Sequence, residues 1–88
     1  MAIVKFLPRA VKDFLALSFE TQSEILNKAE LLQNFPLIGR AMERAYSGYR
    51  CLLAGKNRYR IIYKTKNQDV EIAYIRHCRR QMTLRMIQ

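Results

Sequence analysis

With 88 residues, half of them hydrophobic and about a quarter charged, the chain has room for one small globular domain, residues 1–88, and no separate regulatory module. No apolar run approaches the ~20 residues that span a bilayer, and "MAIVKFLPRA" is too short and too soon interrupted for a signal peptide, so a cytoplasmic protein without a membrane role is expected. The formal charge of +9 excludes an acidic scaffold and points to a polyanionic partner, while one His and two isolated Cys supply no ligand cluster, so no metal or other cofactor is expected.

In chain order, "AIVKF" is a short β-type run, followed by Pro8, which suits the first turn of a helix because its missing N–H has no acceptor there. Val11, Phe14, Leu15 and Leu17 then recur at three- and four-residue spacing, which predicts a short amphipathic helix. Ser18 can cap a second helix, with Glu20 and Glu24 near its positive end and Ile25, Leu26, Ala29 and Leu32 as its buried stripe, until "NFP" ends it. The segment "GRAMERAYSG" reads as a connecting loop containing at most a helical turn.

From Tyr49 the hydrophobic period changes to two. "YRCLLA", "RYRIIYK" and "DVEIAYIRH" read as three antiparallel strands of a meander, joined at "AGKN" and "KTKNQD". Strict alternation places Tyr49, Cys51, Leu53, Tyr59, Ile61, Tyr63, Val70, Ile72 and Tyr74 on one face, against the helices. It places Arg50, Leu52, Arg58, Arg60, Ile62, Lys64, Glu71, Ala73, Ile75 and His77 on the other. The expected fold is α+β with order β-α-α-β-β-β: a small antiparallel sheet on a two-helix hairpin, with the first strand at a sheet edge. Cys51 and Cys78 are expected to stay reduced. Tyr46 and Phe35 are the aromatics placed outside the sheet core, Tyr46 expected to be exposed and Phe35 to act as a staple at the helix end.

The charge is concentrated in the second half. Residues 1–48 net +1, whereas residues 49–88 net +8, with Arg50, Lys56, Arg58, Arg60, Lys64, Lys66, Arg76, Arg79, Arg80 and Arg85 opposed only by Asp69 and Glu71. Arginine offers phosphate a planar fork and keeps its charge at any physiological pH. For RNA the 2′-OH next to the scissile phosphate can be the nucleophile, so cleavage needs a base, charge stabilisation and a proton for the leaving oxygen, with no metal. His77 among these cations is a candidate base, and Arg50, Arg60 and Arg80 are candidate charge stabilisers. The plainer reading is that His77 ends a strand and hydrogen-bonds locally.

The order of elements, with "GRAMERAYSGYRCLLAGKNRYRIIYK" followed by "VEIAYIRHCRR", resembles the RelE/ParE superfamily of type II toxins over nearly the whole chain, most specifically at Gly48-Tyr49-Arg50 and Tyr59-Arg60-Ile61-Ile62-Tyr63. The resemblance implies a cognate antitoxin partner in a toxin–antitoxin hetero-oligomer. It also implies one of two activities. RelE-like members cut messenger RNA in the ribosomal A site, and on that pattern Arg60, His77 and Arg80 are the catalytic set. Arg50, Lys56, Arg58, Lys64, Lys66, Arg79 and Arg85 would then bind RNA. The C-terminal tyrosine such enzymes often use is missing, since no Tyr follows Tyr74. ParE-like members instead poison DNA gyrase, and "IRHCRR" also resembles the end of their last strand. A non-catalytic relative that only binds the antitoxin or nucleic acid is the third possibility. The charge of the second half favours the ribosome-dependent endoribonuclease, which blocks translation.

Overall fold

The computed structural model describes residues 1–79. Two helices pack on one face of a five-strand mixed sheet, as the sequence pattern leads one to expect, with one addition, a short strand at Arg40–Ala41. The elements are β1 (Val4–Phe6), α1 (Pro8–Leu15), α2 (Phe19–Asn34), β2 (Arg40–Ala41), a 3₁₀ turn (Arg44–Tyr46), β3 (Arg50–Ala54), β4 (Tyr59–Lys66) and β5 (Asp69–His77). Across the sheet the order is β1-β5-β4-β3-β2, with β1 parallel to β5 at one edge and the other pairs antiparallel. The 3₁₀ turn is the helical turn allowed for in the stretch expected to be a loop, and the short strand β2 is added there. Neither has enough residues to show a period in sequence.

Local chemistry accounts for the elements. Pro8 opens α1, and the Ser18 hydroxyl caps α2 by accepting from the Thr21 N–H at 3.2 Å. Asn67 and Gln68 link β4 to β5 with φ of 51° and 74°, as a two-residue hairpin turn that follows the right-handed twist of the strands demands. The core lies between the helices and the sheet. Ala10, Ile25, Ala29 and Leu32 meet Ala54, Ile61, Tyr63, Val70, Ile72 and Ile75 there.

Tyr63 anchors the far end of this core. Its side chain is fully buried, and its Oη accepts from the Gly39 N–H at 2.8 Å, while burial pushes the phenol's pKa up. A Cβ on Gly39 would stand 2.6 Å from that oxygen and 2.7 Å from the ring, so only glycine admits the contact. Gly39→Ala is expected to destabilise the domain by about 1–3 kcal/mol, the usual cost of overpacking a rigid site. A thermal melt showing no loss would mean the ring can shift freely.

Two strands depart from the expected faces, each for a reason of register. A loop of four residues, 55–58, pairs Ala54 with Tyr59 and Leu52 with Ile61, so even-numbered residues of β3 share a face with odd-numbered residues of β4. Arg50 and Leu52 therefore lie on the helix side, and Tyr49, Cys51 and Leu53 on the other, the reverse of simple alternation. In β5 the register shifts between Ile62 and Tyr63: Tyr63 pairs with Ile72, but Ile62 pairs with Tyr74, leaving Ala73 as an extra residue. Beyond this bulge the faces exchange. Ile75 and His77 turn to the helix side, and Tyr74 and Arg76 to the open face.

Candidate functional site

The open face of the sheet is built around two arginines. Arg60 and Arg76 sit directly opposite one another on β4 and β5, and like charges so placed repel. Arg76 is buried, and its guanidinium donates to Asp13 Oδ2 at 2.7 Å. The same oxygen accepts from the Ile75 N–H at 3.1 Å, while Asp13 Oδ1 accepts from Arg9 Nε at 3.2 Å. This geometry follows from the edge of the sheet. β1 covers β5 only from Val70 to Ile72, so beyond it the backbone of β5 needs another partner, and α1 supplies a carboxylate. Asp13 thus neutralises one of the two arginines and closes the strand edge.

Arg60 is half-buried and has no acidic partner among the described residues. Its neighbours on the face are Leu53 and, two pairs along, Cys51, Ile62 and Tyr74. Burial pushes the Cys51 thiol up, and the Arg60 guanidinium opposes that rise. Tyr74 is half-buried with the Arg76 guanidinium 5.0 Å from its ring centroid. Tyr46 is buried rather than exposed; burial raises its phenol's pKa, which the nearby Arg76 partly offsets. Tyr46 meets Tyr49 edge-on at 6.3 Å, and Lys64 lies 5.8 Å over the Tyr49 ring. Phe35, at the end of α2, is exposed.

Among the residues singled out from the sequence, only some meet. His77 is on the helix side of the sheet's end, its ring edge-on to Tyr59 at 4.9 Å, so the sheet itself separates it from Arg60. There it faces a cleft of about 310 Å³ bordered by Arg9, Lys12 and Tyr59. Its Nδ1 accepts from the Arg79 N–H at 3.0 Å, and Nε2 has no hydrogen-bond partner among the described residues. Arg50 is also on the helix side, where it donates to the carbonyls of Gly39 at 2.8 Å and Leu37 at 3.3 Å and holds the chain after α2. Lys56 pairs with Glu20 at 3.4 Å on the helix layer, and Lys64 with Glu71 at 3.8 Å on the open face. Arg58 and Arg79 are exposed near the His77 end of the sheet, and Lys66 at the opposite end. Arg80 and Arg85 lie outside the described residues.

Asp13, Tyr74 and Arg76 are the residues the sequence reading did not assign to the site. The only trace of Tyr74 and Arg76 in sequence is "IAYIR", where four apolar residues in a row interrupt the alternation and leave the phase of the strand undetermined, and Asp13 leaves none. Among the described residues, no group of three or more His, Cys, Asp or Glu side chains could hold a metal, and both described cysteines are free. No helix of the described residues is long and apolar enough to cross a membrane.

Comparison with known proteins adds a family. The family model for the ParE toxin of the type II toxin–antitoxin system parDE matches residues 4–82. No curated relative matches the sequence significantly. Among solved structures, the RelBE2 toxin–antitoxin complex of Mycobacterium tuberculosis superposes with a TM-score of 0.76 at 24% identity, covering 86% of this chain and 96% of that one. The intact RelBE complex of E. coli gives 0.75 at 17% identity, covering 91% and 100%. The chromosomal ParDE system of P. aeruginosa gives 0.73 at 19% identity, covering 88% and 96%.

Proposed function

Because the chain belongs to the ParE toxin family, within the RelE/ParE superfamily of type II toxins, we propose that it acts as a ribosome-dependent mRNA endoribonuclease whose working surface is the open sheet face. The observation that carries this reading is Arg60: a half-buried guanidinium without a carboxylate partner among the described residues, beside a second arginine already neutralised by Asp13. Such a group is suited to a phosphodiester and to the charge that builds on it in the transition state. In this reading Arg60 stabilises the developing oxyanion. His77, at the end of β5, serves an RNA strand that runs off the open face around the strand end, and Arg80, three residues on in sequence, adds charge for the same strand. The remaining cations, Arg50 excepted because loop carbonyls hold it, contribute long-range attraction to rRNA and mRNA. The partner that silences the toxin is a small antitoxin covering this basic face, as the toxin–antitoxin complexes among the structural neighbours suggest.

A second reading, inhibition of DNA gyrase, is favoured by the separation of His77 from Arg60 and by the parDE description of the matching family. Purified toxin added to two assays separates them. Inhibited cell-free translation with gyrase supercoiling untouched supports the nuclease. Inhibited supercoiling with translation intact supports the gyrase poison and rejects the nuclease.

A further inference from the structure

We infer that Tyr74 is a base-stacking platform for single-stranded RNA, placed beside the phosphate seat at Arg60; the inference rests on the ribonuclease reading and adds a residue to that site. Plain strand alternation would bury Tyr74 against the helices. The bulge at Ala73 instead brings its ring to the open face, across from Ile62 and two residue pairs along from Arg60, the next position on that face. That offset is about 7 Å along the strand, on the scale that separates a phosphate from its own base.

The ring is also held in place. Asp13 fixes the Arg76 guanidinium at 2.7 Å, and that guanidinium lies 5.0 Å from the Tyr74 centroid, a cation–π contact in a half-buried setting. A chain of contacts thus runs from α1 through β5 to one aromatic ring. The Tyr74 hydroxyl makes no hydrogen bond with any described residue, so the ring is not oriented by its polar end. A pinned aromatic next to an arginine with no carboxylate partner among the described residues is the pairing single-stranded nucleic acid uses: a cation for the backbone and a π-face for the base.

The chain has no tryptophan, so Tyr74→Trp installs a single indole as reporter at this position. The probe is a ten-nucleotide single-stranded RNA of mixed sequence, end-labelled so that binding is followed independently by anisotropy, with the same sequence as a duplex for comparison. The expected result is that single-stranded RNA quenches the indole along the binding curve and the duplex does so far less. Tyr74→Phe should keep wild-type RNA affinity, and Tyr74→Leu should lose about tenfold, in the range reported for removing one stacked base. RNA that binds without quenching, or equal affinity for Tyr74→Leu and wild type, overturns the platform while leaving the ribonuclease reading intact. If wild type neither binds the single strand at low salt nor cuts ribosome-bound message, the ribonuclease reading itself fails and the platform falls with it. Circular dichroism checks the fold of each variant, and should Tyr74→Leu not fold, quenching together with the Tyr74→Phe affinity decides the matter.

Discussion

Replacing Asp13 by alanine is expected to be the most destabilising single change in the domain. It removes the carboxylate that neutralises a buried arginine, and breaking a buried pair in this way costs about 3–5 kcal/mol. The Ile75 N–H loses its acceptor at the same stroke, and Arg76 is left facing Arg60 without compensation. Against a total stability of roughly 5–15 kcal/mol for a small domain, that is a large fraction of the total, enough at the low end of the range to unfold much of the protein. The check is a denaturant melt of three variants. Asp13→Asn, which keeps an oxygen for Ile75 but not the charge, should fall between wild type and Asp13→Ala. The double change Asp13→Leu with Arg76→Met should recover most of the loss, because apolar groups of similar size leave no buried charge behind. A fully stable Asp13→Ala would show that Arg76 reaches solvent and that the bracket between α1 and β5 is dispensable.

The second large effect falls on activity rather than stability. Arg60→Ala is expected to lower mRNA cleavage on the ribosome by roughly 10²–10³, the usual consequence of removing one group aimed at transition-state charge. Its melting temperature should be unchanged or slightly higher, since the substitution removes a guanidinium that has no acidic partner among the described residues and relieves its repulsion with Arg76. Arg60→Lys should fall between, keeping the charge but losing the planar fork. Opposite movements of activity and stability mark a residue retained for function. A parallel fall of both would instead make Arg60 part of the scaffold.

These two arginines also show where the sequence is legible and where it is not. Pro8, the Ser18 cap and the stripe of Ile25, Ala29 and Leu32 are local signals, and the helix pair follows from them. Ile61 and Tyr63 on the helix side, and Arg60 on the other, follow from alternation within one strand. Register between strands is a different kind of information. The parity of the four-residue loop moved Arg50 off the expected face, and one extra residue at Ala73 exchanged the places of His77 and Tyr74. Neither event leaves a mark on composition, and "EIAYIRH" reads equally well in either phase. The candidate site was therefore recognisable by its cations but not by its membership. The ion pair of Asp13 with Arg76 joins residues 63 positions apart, a relation that only the fold establishes.

The central claim, that Arg60 on the open sheet face serves ribosome-dependent RNA cleavage, is tested most directly by primer extension on message recovered from a cell-free translation reaction. With wild-type toxin, discrete cuts within codons of ribosome-bound message are predicted, and they should vanish with Arg60→Ala and in reactions without ribosomes. Intact message in the wild-type lane would contradict the account and leave the open face as a surface for the antitoxin or another partner.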